Sequence, residues 1–241
     1  MFGNGPSLGD ATSRKDEIAS LDFASMAMST FQVARDDLLR PIGKQLDMAC
    51  LSHPAMVWSQ VPALRQWLTE SPEATLVLPL WARELAEVRG QPEFLLGESP
   101  SVFCYADHLP TPQDPLHVPP VNTLLFALFA GVLSRPRRIF LFGFDGQMKG
   151  SDTGKADALY FKENHEGYHQ TGRERPEVRD LTRAWLLWDS RLFNEMATHV
   201  LRHAALLFDL PEVPIYNVCP DSALKVYPRI TFDRFLQLAS E

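Results

Sequence analysis

Short apolar runs and stretches of helical spacing alternate along the first part of the chain. Apolar, β-compatible runs occupy residues 21–33, 46–51 and 76–79, and the first two lead into polar residues typical of a strand end. Apolar positions at helical spacing occupy residues 64–70 and 80–88. This alternation of strand and helix predicts an α/β fold with a mostly parallel sheet and flanking helices.

The second half continues this rhythm after a proline-rich interval. Residues 97–121 hold six of the chain's 19 prolines, which predicts a long surface loop without regular structure. Asn122-Thr123 then caps an apolar helix that ends near Leu133, and residues 138–145 have the clearest parallel-strand pattern. The remaining predicted elements are a polar lid over residues 146–178, a long amphipathic helix over 181–207, a strand over 214–218 and a closing helical turn over 232–238.

Composition and charge narrow the function classes. The 241 residues are 45% hydrophobic and 22% charged, which is typical of one globular domain with a smaller lid. The formal net charge of −7 disfavours a general nucleic-acid binder. Three cysteines, Cys50, Cys104 and Cys219, lack C-x-x-C spacing, which favours a reducing cytoplasm. The apolar stretches are too short to span a bilayer, and the N-terminus does not have the pattern of a signal peptide.

A glycine-rich turn opens the chain. Gly3 and Gly5 flank Asn4, and the missing Cβ atoms allow backbone N–H groups to approach a phosphate closely. Anion binding follows if a helix begins behind the turn, whereas a purely structural turn is the alternative because G-x-G-x-x-G is not completed. Only Met1-Phe2 precede the turn, so the strand that should lead into it is predicted to be truncated.

A second local motif, His165-Glu166-x-x-His169, has two interpretations. Read literally it is H-E-x-x-H, in which two histidines one helical turn apart bind zinc and the glutamate activates water. That interpretation needs a stable helix, yet Gly167 lies between the two ligands, and the third ligand position holds Arg175, which cannot bind zinc. A second interpretation treats His169 as a general base in a lid, since imidazole titrates near neutral pH.

Five motifs follow one another along the chain: G-N-G-P-S-L from Gly3, Ser52-His53-Pro54, Asn122-Thr123, a strand ending in Gly143-Phe144-Asp145, and Y-N-V-C-P-D-S-A-L from Tyr216. This series resembles the bacterial CMP-sialic acid-dependent sialyltransferases of glycosyltransferase family 42 and the related 6-hydroxymethylpterin diphosphokinase-like superfamily. The resemblance implies a Rossmann-like, GT-A-type domain with a lid insertion. Its parts would be a nucleotide-binding part at 1–145, the lid at 146–178, and a helix-strand part at 179–241 that completes the same domain.

The resemblance also implies a set of site residues. His169 would take the proton from the acceptor hydroxyl, and Tyr160 would assist the leaving phosphate. The family uses two tyrosines for the phosphate, whereas only Tyr160 lies between Asp145 and His165 here. The residues implied to contact the nucleotide or the donor are Gly3, Asn4, Gly5, Ser29, His53, Asn122, Thr123, Gly143 and Phe161.

The implied function is metal-independent transfer of sialic acid or a related nonulosonic acid from a CMP-activated donor to a glycan acceptor. The acceptor can be lipid-linked, as in lipopolysaccharide, and no cofactor is expected because the CMP-sugar is a substrate. The alternatives are an ATP-dependent pyrophosphoryl transferase that needs Mg²⁺, a non-catalytic nucleotide- or glycan-binding protein, and a zinc hydrolase. Peripheral contact with the inner face of the membrane through Arg135, Arg137 and Arg138, and assembly into a homo-oligomer, stay open.

Overall fold

The computed structural model describes residues 1–3, 5, 7–28, 31–51, 61–79, 102–105, 123–144, 209, 212–222 and 224–241. Helices and strands alternate along these residues. Their bounds are α1 Leu8–Ser13, α2 Lys15–Ala19, β1 Met26–Met28, a π-helix Val33–Leu39 followed by a 3-10 turn Arg40–Ile42, β2 Met48–Cys50, α3 Val61–Glu70, β3 Thr75–Pro79, β4 Val102–Tyr105, α4 Thr123–Leu133, β5 Ile139–Leu141, β6 Ile215–Asn217 and α5 Phe232–Ala239.

The six strands form two parallel groups that residues 1–3 join. Strands β1, β2, β3 and β4 are neighbours in that order, and β5 pairs with β6. Phe2 forms one parallel bridge to Ala27 of β1 and another to Phe142, just after β5. Residues 1–3, called the central segment below, therefore lie between the two groups, and the spatial order is β4-β3-β2-β1-central segment-β5-β6.

Backbone hydrogen bonds hold the central segment on both sides. Toward β1, the Phe2 N–H donates to the Met26 carbonyl at 2.7 Å, and the Met28 N–H donates to the Phe2 carbonyl at 3.1 Å. Toward β5, the Gly3 N–H donates to the Phe142 carbonyl at 2.7 Å, and the Phe142 N–H donates to the Met1 carbonyl at 2.9 Å. Three residues therefore connect the two groups of strands.

Side chains on the strands alternate between two hydrophobic cores, so the sheet is covered on both faces. One face carries, among others, Ala27, Ala49, Leu76, Leu78 and Phe142. Residues of α1, the π-helix, α3 and α5 pack in the same core. The other face carries, among others, Met26, Met28, Cys50, Val77, Ile139 and Leu141, and α4 packs on it. The described residues therefore form an α/β arrangement with helices on both sides of a parallel sheet.

Local sequence explains the short C-terminal helix α5. The Thr231 side chain accepts a hydrogen bond from the Arg234 N–H at 3.3 Å, which caps the first turn. Phe232, Phe235 and Leu238 recur at intervals of three and are all buried. The Phe235 ring meets the Phe142 ring edge to face, with centroids 4.9 Å apart, so α5 is anchored beside the central segment.

Most sequence expectations within the described residues are confirmed. They include β2, β3, β5, β6, α3, α4 and α5, with ends that differ by at most four residues. Residues 80–88, 146–178 and 181–207, where two helices and the lid were expected, lie outside the described residues. No helix among the described residues is both long and apolar enough to cross a membrane.

Two expectations are wrong. The interval 97–121 contains β4, Val102–Tyr105, because four residues with strand-forming side chains lie between Pro100 and Pro110 and pair with β3. The strand expected over residues 21–33 is confined to Met26–Met28, and the chain is helical again from Phe31. Both errors arise because a window average of proline or apolar content does not locate strand ends.

Truncation of Phe2 tests the role of the central segment. Phe2 is buried and stacks on Phe142 with ring centroids 5.6 Å apart. We expect Phe2→Ala to lower the free energy of unfolding by about 3–5 kcal/mol, measured by urea denaturation. The matched control Phe23→Ala removes a half-buried ring over which the Lys44 ammonium lies, and it should cost about 1 kcal/mol. Equal losses for the two variants would show that the central segment is not a core element.

Candidate functional site

The strand order reverses at the central segment. Successive strands β1 to β4 extend from it in one direction, whereas β5 and β6 lie on its other side. In open parallel sheets, ligands bind outside the carboxyl ends of the strands at the point of such a reversal. The end of the central segment at Gly3 meets the loops that follow it and β5 at this point, and those loops contain Gly5 and Gly143.

Gly3 and Gly143 bring two backbones into direct contact. A Cβ atom on Gly3 would lie 2.5 Å from the Gly143 carbonyl oxygen, and a Cβ atom on Gly143 would lie 2.6 Å from the Gly3 carbonyl oxygen. Gly143 also has φ of 72°, a conformation that L side chains rarely adopt. Glycine is therefore required at both positions for steric reasons, and at Gly143 for a conformational reason as well.

We call this contact between the Gly3 and Gly143 backbones the glycine crossing. Hydrogen bonds there occupy the Gly3 and Gly5 amides, which the sequence indicated could approach a phosphate. The Gly3 N–H donates to the Phe142 carbonyl at 2.7 Å, and the Gly5 N–H donates to the Gly143 carbonyl at 2.8 Å. The Gly143 N–H in turn donates to the buried Ser7 hydroxyl at 3.1 Å. In this structure the Gly3 and Gly5 amides therefore fix the turn to β5, and the contact of Gly3, Asn4 and Gly5 with a nucleotide stays a prediction. A helix, α1, does begin behind the turn, and the Leu8 N–H donates to the Gly5 carbonyl.

A buried polar network lies next to the glycine crossing. Asn217, at the end of β6, donates from Nδ2 to the Phe144 carbonyl at 3.1 Å and to the Ser222 hydroxyl at 2.9 Å. The Ser222 hydroxyl donates to the same Phe144 carbonyl at 2.8 Å and accepts from the Leu224 N–H at 3.0 Å. The loop after β5 and the loop after β6 are thus tied together beneath the carboxyl edge.

The expected site residues divide into two groups. Gly3, Gly5 and Gly143 are brought together at the crossing, and Thr123 is the first residue of α4 as predicted. Outside the described residues lie His169, Tyr160, Asn4, Ser29, His53, Asn122 and Phe161. Asn217 and Ser222 belong to the motif that begins at Tyr216, but the sequence predicted no role for either residue. Their role depends on hydrogen bonds to Phe144, which is distant from both in the chain.

Cys50 ends β2 and could be considered a nucleophile by position. Its side chain is fully buried, and burial raises the pKa of its thiol well above the usual range. The thiol therefore stays protonated at neutral pH and does not supply a thiolate. Cys50 and Cys219 are both buried, and no cluster of metal-ligating side chains occurs among the residues that the structure describes.

A cavity of about 480 Å³ lies at the opposite, amino edge of the sheet. Its lining is mainly apolar and includes Met1, Met26 and Phe140. The Asp47 carboxylate beside it accepts hydrogen bonds from the Ser25 N–H at 2.6 Å and the Ser25 hydroxyl at 2.8 Å, which is a structural role. We place the candidate site at the carboxyl edge because the glycine crossing and the buried polar network both lie there, at the reversal of strand order. Charged side chains, among them Asp47, Arg138 and Glu241, also line the cavity at the amino edge.

Substitution of Gly143 tests the crossing, and Gly43 provides the matched control. Both glycines have a left-handed backbone, with φ of 72° and 71°, but a Cβ on Gly43 meets no atom within 4 Å. Gly43→Ala should therefore cost only the backbone strain, about 1–2 kcal/mol of unfolding free energy. Gly143→Ala adds overlap with the Gly3 carbonyl, and we expect a loss of more than about 4 kcal/mol in the same denaturation experiment. Similar losses for the two variants would contradict the close approach.

Comparison with known proteins identifies no relative. No family model matches the chain, and neither the curated proteins nor the solved structures contain a significant match. The functional interpretation therefore depends on the residues themselves and on the geometry of the carboxyl edge.

Proposed function

We propose that this chain binds a nucleotide-activated donor at the carboxyl edge of its sheet and is a glycosyltransferase of the sialyltransferase type. The observation that carries the proposal is the Gly3–Gly143 crossing, located where the strand order reverses. The parallel sheet with helices on both faces supports a Rossmann-like assignment, with the central segment as its first strand. The order of motifs along the chain supports the narrower GT-A type.

The crossing suits the base of a nucleotide site because it fixes the loops that follow the central segment and β5 where the strand order reverses. Gly3 and Gly143 are themselves buried, so the contacts with a nucleotide come from the residues around them. Since the Gly3 and Gly5 amides are already bonded, the proposal assigns the phosphate to the residues around this crossing rather than to those two amides. The residues assigned to the donor are Asn4, Ser29, His53, Asn122, Thr123 and Phe161.

The proposed reaction is an inverting transfer. The acceptor hydroxyl attacks the anomeric carbon of the sugar while the bond from that carbon to the CMP phosphate oxygen breaks. His169 takes the hydroxyl proton, and the Tyr160 hydroxyl donates a hydrogen bond to the departing phosphate. The products are the glycoside, CMP and a protonated His169, which returns its proton to solvent. No metal ion takes part in this scheme.

Ligand-dependent stability tests the nucleotide class. We expect CMP at about 100 times its Kd to raise the Tm by about 5–10 °C without a divalent cation, because binding to the native state stabilises it by mass action. UDP, GDP and ATP should give smaller shifts. A response to ATP that requires Mg²⁺ would replace the proposal with the pyrophosphoryl transferase, and no response to any nucleotide would reject the carboxyl-edge site.

The catalytic assignment is tested by transfer from CMP-sialic acid, with donor hydrolysis as a second readout. His169→Ala should lower kcat by about 10²–10⁴-fold and leave the CMP-induced Tm shift unchanged, because the base acts on the acceptor and not on the nucleotide. His165→Ala is the matched control in the same segment and should retain most of the wild-type kcat. Equal turnover by wild type and His169→Ala would exclude His169 as the base.

A further inference from the structure

Asn217 and Ser222 act as one buried unit. Asn217 is 0% exposed and Ser222 is 1% exposed, and the two side chains are joined by a hydrogen bond of 2.9 Å. Both donate to the same acceptor, the Phe144 carbonyl. The Arg229 guanidinium adds a bond of 3.1 Å to the Ser222 carbonyl, so the loop after β6 is itself fixed.

The hydrogen-bond pattern determines which way the Asn217 amide points. Its partners in this unit are a carbonyl oxygen and a hydroxyl that already donates elsewhere, so the amide must present its NH₂ group to both. The other amide atom, Oδ1, is buried and has no hydrogen-bond partner among the residues that the structure describes. An unsatisfied buried acceptor is costly, which indicates that the two donor bonds are what the position requires.

Phe144 transmits this constraint to the glycine crossing. A Cβ atom on Gly3 would lie 3.1 Å from Cε1 of the Phe144 ring, so the ring rests directly against the Gly3 backbone. The Phe144 carbonyl is held by Asn217 and Ser222, while Gly143 next to it contacts Gly3. The loops that follow the central segment and β6 are therefore both held against Gly143 and Phe144 of the loop after β5.

We propose that Asn217 and Ser222 are positioning residues for the nucleotide site. They hold the Gly143–Phe144 peptide in the conformation that keeps Gly143 against Gly3, and they do so from the buried interior, without contacting the nucleotide. This inference rests on the proposed function, because it assigns the pair to that same site. The proposal predicts that loss of either side chain lowers nucleotide affinity as well as stability. Loss of a residue that only stabilises the fold would lower stability alone.

Two serines of equal burial provide the matched comparison. Ser222→Ala removes a buried hydroxyl at the carboxyl edge, and Ser25→Ala removes a buried hydroxyl that bonds Asp47 and the Gln45 carbonyl at the amino edge. We expect both variants to lower the Tm by a similar amount, about 2–4 °C. Only Ser222→Ala should weaken CMP binding, by about tenfold or more in titration calorimetry, because only Ser222 holds the Gly143–Phe144 peptide beside the proposed nucleotide site.

Asn217→Asp is the sharper variant because it is nearly isosteric but places carboxylate oxygens against the Phe144 carbonyl. It should weaken CMP binding at least as much as Ser222→Ala and raise deuterium uptake of the amides at Gly143 and Phe144, while uptake in α3 stays unchanged. Wild-type affinity in both carboxyl-edge variants, or equal weakening by Ser25→Ala, would overturn the positioning role while leaving the proposed function intact. Failure of the wild type to bind CMP would instead overturn the proposed function and this inference with it.

Discussion

The contact between the backbones of Gly3 and Gly143 is the constraint on which the rest of this structure depends. The two chains approach so closely that a Cβ atom on either glycine would overlap the carbonyl of the other. The hydrogen bonds from Gly3 to Phe142 and from Gly5 to Gly143 require this approach. Without it, the central segment could not bond to β5, and the two groups of parallel strands would lack their shared neighbour.

The polar groups at the two edges of the sheet make different contacts. At the carboxyl edge, the glycine crossing is braced by Ser7 on one side and by Asn217 with Ser222 on the other. At the amino edge, polar side chains make structural contacts. The Asp47 carboxylate accepts a hydrogen bond from the Ser25 N–H, and Arg138 donates to the Leu238 carbonyl and forms an ion pair with Glu241. We propose the nucleotide site at the carboxyl edge, because these contacts fix the loops there where the strand order reverses.

The sequence predicted those parts of the fold that depend on local pattern. Strands β2, β3 and β5 are short runs buried on both faces, and their apolar character is visible without any contact information. Helix α4 and the amphipathic helix α5 were likewise predictable from their apolar positions. Strand β4 was not, because its pairing with β3 outweighs the prolines around it. The glycine turn was recognised, but the use of its amides was not, since their acceptors lie about 140 residues away in the chain.

The most direct test of the central claim is amide chemical-shift mapping of the deuterated wild-type protein during titration with CMP. The account predicts that the largest changes occur at Gly3, Gly143 and Phe144, and that Ala24 and Ser134 at the amino-edge cavity stay unperturbed. Changes concentrated at Ala24 and Ser134, with Gly3 and Gly143 unaffected, would contradict it and would place the ligand at the opposite edge of the sheet.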